Sequence, residues 1–167
     1  MSSSDCAPPR RALLQAVPAL LLAGCGFELK RAAALQFDSI ALTGFVPRSP
    51  LAQELRATLE RSISIKEAPA QAQVVLQALA EDRIRRAVAF TASGQVRDIQ
   101  LRTVFRYRAQ TPAERELIPN SRIELIREMT FIESAALGKQ QEEQDLFREM
   151  QSDIVLQVML RLSAIRL

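Results

Sequence analysis

The sequence predicts an α+β domain with two helices packed on one face of a mostly antiparallel four-stranded sheet. Three observations predict it. First, a central segment alternates at the two-residue period of a half-buried strand. Ile99, Leu101, Thr103, Phe105 and Tyr107 point one way, and Asp98, Gln100, Arg102, Arg106 and Arg108 point the other. Second, the segment from about Leu137 to Ile165 has no proline. Its apolar residues Leu146, Met150, Ile154, Val158, Leu162 and Ile165 recur every three or four positions, the period of an amphipathic helix. Third, the elements read in the order β-α-β-β-β-α, which assigns two helices to one sheet face and leaves the other to solvent or a partner.

The chain opens with a segment that is expected to be removed. Arg10 and Arg11 precede an apolar run, Ala12 to Leu22, of export-signal length and too short to span a bilayer as a stable helix. Pro18 lies within it, where a permanent core helix would be broken. Leu22-Ala23-Gly24-Cys25 follows and resembles the lipobox of bacterial lipoproteins. That resemblance implies a signal peptide over residues 1–24, cleavage before Cys25, and acyl chains on the Cys25 sulfur and the new amino group. At about 0.8 kcal/mol per buried CH₂, two chains already anchor stably and three hold for practical purposes permanently. Residue 26 is Gly rather than Asp, so the expected destination is the outer membrane. Residues 25–35 read as a lipidated tether and 36–167 as a single domain. Cys6 lies in the leader, so the mature chain has one cysteine, acylated, and no disulfide is available to the fold.

Within the domain, Leu35 to Leu42 alternates toward Gly44 and reads as a first strand. Ser49 is placed as an N-cap and Pro50 as a first helical residue, with Leu51, Leu55 and Leu59 forming one apolar face of a helix to about Arg61. Arg56 and Glu60 are spaced to pair on its outer side. Ile63 and Ile65 suit a short edge. Gln73 to Phe90 reads as extended, with Thr91 to Gly94 as a turn into the central strand, where only Val104 breaks the alternation. Gln110 to Ser121, with Pro112 and Pro119, reads as a loop. Arg122 to Ile132 reads as the last strand, burying Ile123, Leu125, Met129 and Phe131 and presenting Arg122, Glu124 and Glu128 opposite, with Arg127 out of pattern. The final helix turns Glu143, Gln144, Arg148, Gln151, Ser152 and Arg161 away from its apolar stripe.

Composition removes several function classes. There is no His, which excludes Ser–His–Asp and Cys–His arrangements. With the one mature Cys acylated, zinc lacks both of its usual ligands. The five glycines form neither GxGxxG nor a Walker motif. Carboxylate neighbours such as Glu81–Asp82 and Glu142–Glu143 read as solvated surface. No enzyme activity, metal or cofactor is expected. The full chain carries 22 Lys and Arg against 19 Asp and Glu; removing Asp5, Arg10 and Arg11 with the leader leaves 20 against 18, a charge of +2.

Arginine is the distinctive chemistry. Seven lie between positions 83 and 108 (Arg83, Arg85, Arg86, Arg97, Arg102, Arg106 and Arg108), with Asp98 the single acid among them. The strands that carry them flank one turn, so the arginines are expected on one end or face of a hairpin. Guanidinium forks match phosphate and carboxylate oxygens. The cluster reads either as a patch for a phosphorylated ligand or as a partner-facing or solvated sheet face, in which Arg102 or Arg106 pairs across strands with Glu124 or Glu128. A nucleic acid would also suit such a patch, but a lipid-anchored periplasmic protein does not meet one.

Three segments carry a family resemblance. Gly24 to Lys30, "GCGFELK", resembles the start of the mature LPS-assembly lipoprotein LptE; Phe90 to Gln95, "FTASGQ", resembles that family's hairpin turn; Ala136 to Met150, "ALGKQQEEQDLFREM", with "LRL" at 160–162, resembles its C-terminal helix. The resemblance implies a non-enzymatic outer-membrane lipoprotein that sits inside the β-barrel of LptD, helps that barrel assemble, and binds lipopolysaccharide on its way to the cell surface. It further implies ligand contacts from basic residues at the hairpin tip and just before the last helix. Lys139 matches the second position. The tip reads Thr91-Ala92-Ser93, so contact there falls to Arg97, Arg85 or Arg86, with Arg102, Arg106 and Arg108 facing the partner. The other reading is a generic outer-membrane lipoprotein that recruits a different envelope complex.

Overall fold

The computed structural model describes residues 35–167. The signal segment, Cys25 and the tether up to residue 34 lie outside the described residues. The elements are β1 (Ser39–Thr43), α1 (Pro50–Leu59), β2 (Ser64–Ile65), β3 (Val74–Phe90), β4 (Val96–Gln110), β5 (Glu116–Thr130) and α2 (Ala136–Ser163), with single 3-10 turns at Pro69–Gln71 and Glu133–Ala135. The α+β class is as expected. The sheet differs in detail from the four mostly antiparallel strands predicted: five strands lie in the order β2-β1-β3-β4-β5. β1 pairs in parallel with both β2 and β3, and β3, β4 and β5 form a long antiparallel meander.

Local chemistry explains the short elements. Ser49 Oγ accepts from the Ala52 amide at 3.0 Å and caps α1, whose first residue is Pro50. Leu51, Leu55 and Leu59 are buried on its inner face. Full burial of a leucine contributes roughly 1.5–3 kcal/mol, and this stripe joins the helix to the larger core. Arg56 reaches Glu60 at 4.0 Å and, more closely, Glu67 at 3.0 Å. Gly44 leaves β1 at φ +75°, and a Cβ on it would collide with the Ala78 carbonyl oxygen.

Two stretches depart from the sequence reading. Residues 116–121 were expected in a loop but continue β5. Only Thr111 to Arg115 forms the turn, closed by backbone hydrogen bonds of 2.9 Å from the Thr111 amide to the Arg115 carbonyl and from the Glu114 amide to the Thr111 carbonyl. Pro119 is tolerated because β5 is an edge strand and because Pro119 and Asn120 sit in an irregularity between the pairs Tyr107–Ser121 and Ala109–Ile118. In β3, Leu79 is an extra residue between the pairs Ala78–Tyr107 and Ala80–Arg106. That bulge exchanges the two faces of the strand. Before it, Leu76 and Ala78 face the helices; after it, Glu81, Arg83 and Arg85 do.

Both helices cover the face carrying Ile99, Leu101, Thr103, Phe105 and Tyr107, all buried as the alternation requires. The core has two parts. The larger joins Phe37, Ile40, Leu55, Leu76, Phe105 and Tyr107 to Ile154, Val158 and Leu162. The smaller joins Ile99, Leu101 and Met129 to Met150, with Phe131, Leu146 and Phe147 at its edge. Polar groups cross the interface between them. Arg83 donates to Gln151 Oε1, and Gln151 Nε2 donates to Glu54 and to the Pro50 carbonyl. Gln151 was expected on the outer side of its helix and is instead 7% exposed, because Arg83 and Glu54 supply partners there. Arg127, out of pattern in the sequence, reaches Asp153 of α2 at 3.2 Å.

Candidate functional site

The candidate surface is the sheet face opposite the helices, together with the β3–β4 hairpin tip. Directly paired residues of antiparallel strands project to one face, so the register gives the surface row by row. Across β3, β4 and β5 it reads Ala80–Arg106–Arg122, Asp82–Val104–Glu124, Ile84–Arg102–Ile126 and Arg86–Gln100–Glu128, ending at Ala89–Asp98–Thr130. Gln77 and Arg108 precede the first row. Val104, which broke the sequence alternation only in polarity, lies on this face and is 6% exposed.

The seven arginines do not gather as expected. The Leu79 bulge sends Arg83 and Arg85 to the helix side, where Arg85 Nε donates to Glu143 at 2.9 Å and its guanidinium lies 5.9 Å from the Phe131 ring centre. Arg83 lies similarly 5.7 Å over Phe147. A second irregularity leaves Val88 extra on β3, and Arg97 is the extra residue of a third, between the pairs Ala89–Asp98 and Phe90–Val96. It bonds to the adjacent Asp98 at 2.8 Å while remaining mostly exposed. Arg86, Arg102, Arg106 and Arg108 are on the outer face. Arg102 pairs with Glu124 at 3.0 Å, which the cross-strand reading anticipated. Arg108 Nε donates to Gln77 Oε1 at 2.8 Å. Among the described residues, Arg86 and Arg106 make no ion pair.

The tip itself is uncharged and internally bonded. The Thr91 amide donates to the Gln95 carbonyl at 2.8 Å and the Gly94 amide to the Thr91 carbonyl at 2.9 Å. Thr91 Oγ1 accepts from the Gln95 amide at 3.1 Å, and Gly94 takes φ +83°. Gln95 donates onward to Glu133 at 3.1 Å, joining the tip to the segment that leads into α2. Between them runs an open groove of about 780 Å³ lined by Val96, Arg97, Phe131, Ile132 and Glu133. Lys139 lies in the first turn of α2 and pairs with Glu142 at 2.7 Å. Of the residues assigned to ligand from the sequence, Arg97 and Lys139 therefore lie toward one end of the domain. Arg85 is held by the helix and Arg86 is on the outer sheet face.

Sequence reasoning missed Arg122 as a member of the outer cluster. It was placed on the correct face, but only the register puts it directly opposite Arg106. Among the described residues no group of His, Cys, Asp and Glu could hold a metal, and no helix is long and apolar enough to cross a membrane.

Comparison with known proteins adds to this geometry. The lipopolysaccharide-assembly family LptE matches residues 37–162. Similar solved structures include the NMR structure of lipoprotein B from Nitrosomonas europaea, at 24% identity and TM-score 0.71, covering 83% of this chain and 91% of that one. A minor lipoprotein from Acinetobacter baumannii aligns at 16% identity and TM-score 0.63, covering 78% and 93%. The rare lipoprotein B from Shewanella oneidensis aligns at 21% identity and TM-score 0.62, covering 74% and 94%. At these identities the structures speak for the fold. No curated protein matches the chain in sequence.

Proposed function

We propose a role that proceeds from one premise: this chain belongs to the LptE lipopolysaccharide-assembly family. The role is that of an outer-membrane lipoprotein, anchored through acyl chains on Cys25, that plugs the LptD β-barrel, helps it assemble and binds lipopolysaccharide during delivery. It is a non-enzymatic role, played by surfaces rather than by a reactive group.

The observation that carries this reading is the two-sidedness of the sheet. One face is committed to the protein's own helices. The other is a broad surface of Arg, Gln, Asp and Glu, with Ile84, Val104 and Ile126 among them, that neither described helix covers. The lumen of a large barrel is polar and wet, and a plug for it needs a hydrogen-bonding exterior over a self-contained apolar core. Lipopolysaccharide contact is assigned to Lys139 and Arg97, the two cations at the groove end of the domain, with Arg86 on the adjoining sheet edge. Arg85 pairs with Glu143 and lies over Phe131, as Arg97 pairs with Asp98 and Lys139 with Glu142, and it is assigned to the same ligand surface. Arg102, Arg106 and Arg108 are assigned to the barrel wall.

The test is capture of the tagged, acylated protein from membranes in mild detergent. A large β-barrel protein is expected in comparable amount. Recovery of the lipoprotein alone at full yield would sink the reading. Reversing Lys139 and Arg97 together (Lys139→Glu, Arg97→Glu) is expected to weaken lipopolysaccharide binding at low salt while barrel capture persists. Binding at wild-type strength would remove those two residues from the site.

A further inference from the structure

The cations left without internal neutralisation are not at the hairpin tip. Arg97 has Asp98 and Arg85 has Glu143. Arg86 and Arg106 make no ion pair among the described residues, and Arg106 lies further along the outer face, directly across from Arg122, whose one carboxylate partner is Glu124. Like charges directly opposite in a sheet are destabilising. The third residue in that row, on β3, is Ala80, which offers no acid. Arg108, toward the far end of β4, has only the neutral Gln77. A single carboxylate, Glu124, serves both Arg102 and Arg122. Asp82 lies in the next row opposite Val104 and makes no ion pair with any of them.

We propose that Arg106, Arg108 and Arg122 form a receiving site for carboxylate side chains of a partner protein, an acidic strip on the inner wall of the barrel that this face meets. The proposal rests on the barrel reading above and adds the chemistry of the contact. Of these three guanidiniums only Arg122 has an internal carboxylate, Glu124, which it shares with Arg102, so an external Asp or Glu pair both relieves the Arg106–Arg122 repulsion and gains bidentate hydrogen bonds. The surroundings select protein over polyanion. Asp82 and Glu124 stand in the row next to Arg106 and Arg122 and repel a ligand dense in phosphate. Ile84, Val104 and Ile126 are interleaved with the arginines and suit a wall that mixes apolar and polar side chains.

The experiment compares the full, acylated chain with Arg106→Glu/Arg122→Glu and Arg106→Gln/Arg122→Gln, reading barrel captured per lipoprotein, lipopolysaccharide bound, and thermal melting of the isolated lipoprotein. Charge reversal is expected to lower barrel capture by roughly tenfold or more, as loss of a desolvated charge pair does, and to leave lipopolysaccharide binding within about twofold. The glutamine variant is expected to melt close to the wild-type temperature, because the relieved Arg106–Arg122 repulsion offsets the lost Arg122–Glu124 pair, yet to capture less barrel. A wild-type chain that captures no barrel overturns the barrel reading itself. A wild-type chain that captures it, with both variants capturing equally at low and high salt, overturns the carboxylate site alone. Loss of lipopolysaccharide binding with barrel capture intact would make the patch a phosphate site and overturns the proposal equally. A glutamine variant that melts well below wild type would assign these arginines to the fold instead.

Discussion

Thr103 is the sharpest probe of how this core is built. Its side chain points between the two apolar clusters, beside Arg83 on β3 and Leu125 on β5. The residue is 4% exposed, and its hydroxyl is buried without a hydrogen-bond partner. A hydroxyl stripped of water and left unpaired costs about 1–3 kcal/mol. Valine has nearly the same shape and an equal preference for strands. Thr103→Val should therefore stabilise the domain by about 1–2 kcal/mol. At about 4 °C per kcal/mol for a domain of this size, the melting temperature should rise by about 4–8 °C. Urea unfolding followed by circular dichroism should show a higher midpoint with unchanged slope, the signature of altered stability without altered compactness. A variant less stable by about 1 kcal/mol or more would mean the hydroxyl is satisfied in solution by water or by a neighbour. The view of this position as an unrelieved polar defect would then be wrong.

Other perturbations test separate joints of the structure. Ser49→Ala removes both the α1 cap and the 2.6 Å hydrogen bond from Ser49 Oγ to Glu81, at a residue 2% exposed; a loss of about 1–2 kcal/mol is expected by denaturant titration, and no loss would show that the cap contributes nothing. Gly44→Ala combines a left-handed φ with a collision against the Ala78 carbonyl. It should cost more than about 1 kcal/mol and loosen the β1–β3 pairing, visible as faster amide exchange at Leu42 to Leu76. Tyr107 is fully buried, and burial raises its phenol above the ordinary 10.0, opposed by the hydrogen bond and charge of Arg161. A raised acid favours the protonated folded state, so its contribution is complete below pH 10 and is lost as pH climbs from there through the folded value. Wild-type stability should thus fall more steeply above pH 10 than that of Tyr107→Phe; parallel curves would remove Tyr107 from the alkaline transition.

What could be read from the sequence was local and periodic. Ser49-Pro50 with Leu51, Leu55 and Leu59 specified α1, and the alternation from Asp98 to Arg108, broken in polarity only at Val104, specified both faces of β4. Such patterns are legible because each residue's environment follows from its own position in a helix or strand. β5 was read short at Pro119 because proline argues against a strand, and the argument fails only where one edge is unpaired and the register slips. The parallel role of Ser64–Ile65 was not legible, since two residues carry no period.

The sequence by itself determined the two helices, the buried face of the sheet, the absence of histidine chemistry and the richness in arginine. Only the tertiary structure decided which arginines share a surface. One added residue at Leu79 turned Arg83 and Arg85 toward α2, and the β4–β5 register set Arg122 against Arg106. Those outcomes depend on pairings between segments far apart in the chain. A single bulge reverses the facing of the residues that follow it until the next one, and no pattern within one strand records where its neighbour will begin.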